Sequence, residues 1–387
     1  MPSPIDIRAT AVFRQSVKEQ VEDVSIVLDQ LEARRVFLVT DAGAWNFSGA
    51  AERLSPILAS YEVAVFAEFE PNPKLPDVIR GIGAFREAQA EVILAVGGGS
   101  VIDMAKLINH LSAQPAPASE VVRRKAGPAI PGRPLIAVPT TAGTGSEATH
   151  FAVVYVDGEK FSVASPHIRP AHAVLDWRLT ENLPPALTAH SGLDALCQAI
   201  ESIWSIHANE TSLIYAEEAL QLVFDNLENT YIGATPENRQ ALMRGANLAG
   251  RAIDITFTTA PHALSYPLTS GYSVPHGAAV ALFIAPLLLY NSEISTADCA
   301  DLRGPDTTRR RLDRIVQLLG CANAASAAER LGQMLDLLKC PRRLRDVGIA
   351  TDEQVRALAA RVNAERLDNN PRRILAAALP HLLGGLV

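Results

Sequence analysis

The chain has 387 residues, 48% of them hydrophobic and 20% charged, with a formal net charge of −7. That length holds two domains of ordinary size, and the composition excludes a disordered or fibrous chain. The acidic balance and the lack of a long Lys/Arg block exclude nucleic acid as an expected partner. The short basic clusters at 309–311 and 342–345 read as solvated helix faces.

In chain order, a short polar lead gives way to an amphipathic stretch over 17–31. Residues 36–40 predict the first strand, closed by Asp41-Ala-Gly43 as a strand-to-helix turn. Helical spacing over 47–61 and a strand over 62–66 follow. Pro71-Asn-Pro73 makes a stiff turn, and a helix is expected from Leu75 to about Gln89. The aliphatic run at 91–96 reads as a strand buried on both faces. Gly97, Gly98 and Gly99 end it, and Ser100 stands at the N-cap position of a helix over 101–108. Without β-carbons there, a phosphate can approach the backbone N–H groups and the positive end of the helix dipole. The pattern is neither the spaced Gly-x-Gly-x-x-Gly fingerprint nor a P-loop, and a ligand-free turn explains the glycines equally well.

Residues 134–139 predict the next buried strand. The loop after it carries Thr140, Thr141, Thr144 and Ser146, which suit either a capped turn or a second nucleotide-facing loop. Its strand-end position matches that of the glycine turn and favours the second. Strand–helix alternation from 36 to 139 predicts a doubly wound parallel sheet, which binds ligands at the carboxyl ends of its strands. Residues 151–156 and 160–164, joined by Asp157-Gly158, predict a hairpin.

After Leu183-Pro-Pro185 the texture becomes helical throughout, which sets the domains at 1–185 and 186–387. The segment from Gly192 to Glu201 should be a helix with Asp194 and Gln198 one turn apart on one face. A buried carboxylate needs a partner, and either a metal or a salt bridge serves. Pro261-His262-Ala-Leu-Ser-Tyr266 and Val274-Pro-His276-Gly277 set two histidines among small and apolar residues. Together with Asp194 they point to a divalent cation held by oxygen and nitrogen, with no thiolate cluster in competition. The four cysteines (Cys197, Cys299, Cys321, Cys340) are widely spaced and read as free thiols. No signal segment and no run near the ~18 apolar residues of a membrane span are evident, so a cytoplasmic protein is expected.

Five motifs stand in order along nearly the whole chain. They are Gly97-Gly-Gly-Ser-Val-Ile-Asp103-Met-Ala-Lys106, Pro139-Thr-Thr-Ala-Gly-Thr-Gly-Ser-Glu147, Gly192-Leu-Asp-Ala-Leu196, His262-Ala-Leu264 and Val274-Pro-His-Gly277. The set resembles the signatures of the iron-containing (group III) alcohol dehydrogenases. The resemblance implies a dehydroquinate synthase-like architecture: an NAD(P)-binding α/β domain, an all-α C-terminal domain, a metal between them, and a homodimer. It implies one Fe(II) or Zn(II) on Asp194, Gln198, His262 and His276, and the dinucleotide's pyrophosphate at Gly97, Gly98, Gly99 and Ser100. Asp103 and Lys106 belong to the same helix motif, and Thr140, Thr141 and Thr144 would line the cofactor cleft. Asp41 could accept hydrogen bonds from an adenosine ribose and repel a 2′-phosphate, favouring NAD(H) over NADP(H), although an Asp there is also a common helix cap.

Two positions depart from the family pattern. Gln198 stands where most members carry His and is a weaker metal donor. Tyr266 stands where many carry a second His; a phenol there could donate a hydrogen bond or relay a proton. The segments 194–205 and 258–268 resemble the family's phosphonate-associated branch, which includes phosphonoacetaldehyde reductases. The expected reaction is hydride transfer from NAD(P)H to a small aldehyde, phosphonoacetaldehyde giving 2-hydroxyethylphosphonate, with Asp194, His262, His276 and Tyr266 as the catalytic set. Lys160, Arg251, Thr258 and Thr259 are candidates by position for a phosphonate pocket; for the two cations, a surface charge or a salt bridge is the alternative. A generalist alcohol or polyol dehydrogenase, a non-redox enzyme resembling 3-dehydroquinate synthase, and a silent nucleotide-binding protein are the rival readings.

Overall fold

Aliphatic runs over 35–40, 92–97 and 135–139 are buried almost throughout, so each must be covered on both faces. The computed structural model describes residues 15–124 and 130–387; the polar lead lies outside them. It has two compact units, Met1–Leu183 and Pro184–Val387.

The first unit runs β1 (Ser16–Lys18), α1 (Asp23–Gln30), β2 (Arg35–Thr40), α2 (Ala42–Phe47), α3 (Ala50–Leu58), β3 (Glu62–Phe66), α4 (Leu75–Glu87), β4 (Val92–Gly97), α5 (Gly99–Ala113), α6 (Ala118–Arg124), β5 (Leu135–Pro139), β6 (Phe151–Val156), β7 (Glu159–Ala164) and β8 (His172–Val174). Six strands form one parallel sheet in the order β1-β8-β5-β4-β2-β3. Side chains alternate across it. Phe37, Val39, Ile93, Ala95 and Ala137 pack with α4 and α5, while Val36, Leu38, Val92, Leu94 and Ile136 pack with α1 and α3. The helices after β2 and after β4 therefore lie on opposite faces. Because β2 and β4 are neighbours, the crevice at their carboxyl ends is the topological switch point, flanked by Asp41 and the glycine turn. β6 and β7 form the expected hairpin, and both turn residues, Asp157 and Gly158, have positive φ as a type I′ turn requires.

Several local expectations change. The helix after β4 starts at Gly99, two residues earlier than expected, and runs to Ala113. Gly98, in extended backbone, is its N-cap: its carbonyl accepts from the N–H groups of Val101 and Ile102. Ser100 lies inside the first turn, where its hydroxyl accepts from the N–H of Asn72 at 3.1 Å. The helical pattern over 47–61 resolves into one helix, α3, which starts only after Gly49 at a φ of +77°, while an earlier helix, α2, ends at Phe47. The stretch over 17–31 holds a strand before its helix, because β1 pairs with the remote β8.

The second unit comprises α7 (Pro185–Trp204), α8 (Glu210–Gly233), α9 (Pro236–Thr256), α10 (Ala260–Tyr272), α11 (His276–Ser292), α12 (Pro305–Leu318), α13 (Ala324–Leu337), α14 (Asp352–Ala360) and α15 (Leu379–Gly384). Among its described residues the only β feature is an isolated bridge between Cys299 and Arg372. α7 is buried along most of its length and packs against α8, α9 and α11. α11 is apolar on every side, as a central helix must be. Arg311 is a correction: instead of lying on a solvated face it is inward, donating to the carbonyls of Ser205 and Ala208 just past α7 and pairing with buried Asp301. Among the described residues no helix is long and apolar enough to cross a membrane.

Candidate active site

In the first unit, the glycine turn and the loop after β5 are built against each other. A β-carbon on Gly99 would stand 2.7 Å from the side chain of Thr144, and one on Gly98 would touch Thr141. Gly99 therefore permits a close approach that any side chain would obstruct. The N–H groups of Gly99 and Ser100 lie at the open N-terminus of α5, where an anion is favoured. Beneath the turn, fully buried Lys106 donates to the hydroxyls of Ser146 and Thr149 and to the carbonyl of Phe151, each at 3.0 Å. Asp103 accepts from the Ser146 hydroxyl at 2.5 Å and from the Val153 N–H at 2.9 Å. Both charged residues of the helix motif thus clamp the loop after β5 to α5. Burial pushes the Asp103 carboxyl above the usual range, opposed by Lys106 and its hydrogen bonds. Asp41 caps α2, accepting from the Ala44 N–H at 2.8 Å, at the edge of the switch-point crevice. Thr140 is buried, its N–H bonded to the Gly97 carbonyl. Lys160, on β7, acts on Asp103 through its charge.

In the second unit, α7, α10 and α11 bring Asp194, His262 and His276 together, with one ligand atom of each within 4.8 Å of the others. Asp194 and Gln198 are buried one turn apart on α7, and the Gln198 amide donates to the Asp194 carboxylate. His262 follows the start of α10, its Nε2 3.2 Å from Asp194 Oδ1. His276 opens α11 with Pro275 as its N-cap, and its Nε2 lies 4.0 Å from the same oxygen. The neighbouring Gly277 makes this possible. A β-carbon there would sit 1.8 Å from the carbonyl oxygen of His190 on α7, so only glycine lets α11 come this close.

Glu201 is the residue the sequence reading passed over. It lies on the Asp194 face of α7, fully buried, with one carboxylate oxygen on His262 Nδ1. The other accepts from the N–H and hydroxyl of Thr259, at 2.8 and 3.0 Å. The carboxylate orients the imidazole so that Nε2 faces Asp194. Its spacing of seven from Asp194 on a helix was the available signal. Burial works against protonation of His262, but the Glu201 and Asp194 carboxylates outweigh it and raise the imidazole to about 10. Burial likewise works against the charged form of Asp194, yet its bonds to His262 and Gln198 and the nearby His276 hold its carboxyl below the usual range. Cys197, beside these carboxylates, is pushed well up by burial and stays a thiol.

Tyr266 stacks on His276, with ring centres 6.0 Å apart and planes at 6°. Its hydroxyl accepts from Arg366 Nη1 at 3.1 Å. Two of the positional candidates turn away from a ligand role. Thr259 spends its hydroxyl on Glu201 and on the indole N–H of Trp204. Arg251 bonds Asn247 and lies over the ring of Tyr215. Thr258 offers its carbonyl to Asn369.

A switch-point crevice with a glycine turn, and an Asp–His–His cluster in which Asp194 and His262 are buried and a further carboxylate orients His262, suit a nucleotide-dependent metalloenzyme. The chain matches the iron-containing alcohol dehydrogenase family over residues 15–177 and that family's C-terminal region over 188–384. It belongs to that family and is an oxidoreductase of the alcohol dehydrogenase and aldehyde reductase class. It is 35% identical to a phosphonoacetaldehyde reductase of Streptomyces viridochromogenes, with 97% of each chain covered. A 1-propanol dehydrogenase of Salmonella typhimurium is 29% identical, with 93% of this chain and 95% of that protein covered. Among solved structures, a sulfoacetaldehyde reductase from Bifidobacterium kashiwanohense in complex with NAD+ superposes with a TM-score of 0.86 at 26% identity, covering 97% of this chain and 98% of that one.

Proposed function

We propose that the protein reduces phosphonoacetaldehyde to 2-hydroxyethylphosphonate with NADH, using one divalent metal. The observation that carries this reading is the full-length 35% match to the Streptomyces enzyme, in a chain whose Asp194, His262 and His276 converge. The donor set fits a divalent cation: one carboxylate and two imidazoles converge on one point, and the carboxamide oxygen of Gln198 is buried beside them. Oxygen and nitrogen donors of this kind suit Fe(II) and Zn(II) alike. When bound, the metal supplies Lewis-acid polarisation of the carbonyl and the nicotinamide supplies the hydride.

The chain's own residues supply the rest. Gly98, Gly99 and Ser100 hold the pyrophosphate at the α5 N-terminus, and the clamp through Asp103, Lys106 and Ser146 keeps Thr141 and Thr144 beside it. Asp41, an anion at the switch point, disfavours a 2′-phosphate and so supports NADH over NADPH. Glu201 orients His262. Tyr266, whose oxygen accepts from Arg366 and whose ring stacks on His276, is placed as a hydrogen-bond donor to the carbonyl oxygen as negative charge grows there. The protein works as a cytoplasmic homodimer.

The test is oxidation of NADH and of NADPH by the metal-loaded protein with phosphonoacetaldehyde and, in parallel, propanal. A large kcat/KM advantage for phosphonoacetaldehyde with NADH is the expected result. Comparable rates would make the protein a generalist alcohol dehydrogenase; no turnover with metal bound would point to another substrate, and no turnover by a protein that fails to retain metal would favour a silent nucleotide binder.

A further inference from the structure

We infer that Arg366 is the anion-recognising residue of the substrate pocket and sets its specificity for an aldehyde that carries a phosphonate-type group. The inference rests on the aldehyde reductase reading above and names the residue that reading lacks. Arg366 comes from a single helical turn (Ala364–Leu367), remote in sequence from the metal cluster. Its guanidinium lies 4.9 Å above the ring of Tyr266, and one of its N–H groups bonds the Tyr266 oxygen. Tyr266 in turn stacks on His276. The cation is therefore held one aromatic ring away from the Asp194–His262–His276 cluster.

Among the described residues no carboxylate pairs with Arg366, whereas many of the unit's arginines are paired, such as Arg330 with Glu228 and Arg372 with Asp298. Arg366 is of intermediate exposure, and a guanidinium fixed by an aromatic face and a phenol keeps most of its five N–H donors for another acceptor. Its planar fork matches two oxygens of a phosphonate. In phosphonoacetaldehyde a single methylene separates phosphorus from the carbonyl carbon. Arg366 Nη1 lies 3.1 Å from the Tyr266 oxygen, so a substrate whose carbonyl oxygen meets that hydroxyl can turn its phosphonate toward the guanidinium across the single methylene. Arg251 is committed to Asn247 and Tyr215 instead.

The test compares metal-loaded wild type, Arg366→Gln and Arg366→Lys. Each is assayed with phosphonoacetaldehyde and with propanal, and ethylphosphonate is titrated as a competitor of propanal. The expected result is a fall of roughly 100-fold in the phosphonoacetaldehyde-to-propanal ratio of kcat/KM for Arg366→Gln, carried by KM. Arg366→Lys should recover part of that ratio, and ethylphosphonate inhibition should weaken in parallel. An unchanged ratio with both activities lowered would overturn the inference, leaving Arg366 as a support for Tyr266. So would equal ethylphosphonate inhibition of wild type and Arg366→Gln. A wild type without preference for phosphonoacetaldehyde, but inhibited by ethylphosphonate through Arg366, would retain the anion site and retire that substrate. A wild-type preference that survives in Arg366→Gln would do the reverse.

Discussion

Glu201 shows how much of this site depends on a residue that need never touch substrate. Its carboxylate holds His262 through Nδ1, and its other oxygen is satisfied by Thr259. Glu201→Gln keeps the shape but replaces the charged acceptor with a neutral amide. Metal affinity is expected to fall about 10–100-fold, read by chelator competition on the folded protein. An unaltered affinity would mean that His262 is oriented by packing alone. From sequence, Asp194, His262 and His276 were legible together through their residue types and motif settings, while Gln198 joined them only through the family resemblance. Glu201 was not, since a glutamate one turn beyond Gln198 reads as a solvated position until Thr259 and His262 are folded onto it. Arg366 was hidden for a similar reason: nothing local ties it to Tyr266, one hundred residues earlier.

At the scale of elements, the contact between α7 and α11 sets the geometry of the cluster. Gly277→Ala puts a methyl group into the His190 carbonyl, so the two helices must separate. Destabilisation of about 1–3 kcal/mol is expected, with weaker metal retention, measured by urea denaturation and by metal stoichiometry. A variant as stable and as metal-rich as wild type would show that α11 shifts at no cost. In the other unit, His110 in the last turn of α5 is buried, and burial together with nearby His167 lowers its imidazole from 6.5 to about 4. The unfolded chain takes up this proton near 6.5 and the folded one only near 4, so between those values stability falls as pH falls. The loss is on the order of 3 kcal/mol once pH is below both values. His110→Gln should flatten that part of the acid limb, seen in urea midpoints at pH 7.5, 5.5 and 4.5. Parallel pH dependences of the two proteins would assign the limb to other groups.

Across the whole molecule, the two units would hold the proposed ligands through different physics: a helix N-terminus and switch-point crevice in one, converging largely buried side chains in the other. A cation held only by the folded helical unit stabilises it by mass action, by roughly 2.7 kcal/mol at a hundred times Kd. Removing it with a chelator should lower the melting temperature, and adding Fe(II) or Zn(II) should restore it. A melting curve indifferent to metal would contradict a cation site at Asp194, His262 and His276.

The sequence by itself determined what depends on local pattern. Aliphatic runs such as 92–97 declare a covered central strand, the Asp157-Gly158 turn declares its hairpin, and apolar spacing after residue 185 declares helices. Motifs marked the glycine turn and the Asp194, His262 and His276 cluster. The tertiary structure decided what depends on partners far apart in the chain. β1 and β8 are three residues each and exist only by pairing with one another and with β5. Ser100 lost the cap position because Gly98 could take the extended backbone and its carbonyl could serve the first turn. Arg311 turned inward because carbonyls past the end of α7 needed donors. A buried charge or a short strand gains its stability from a neighbour, and which neighbour that is becomes defined only when the chain has closed on itself.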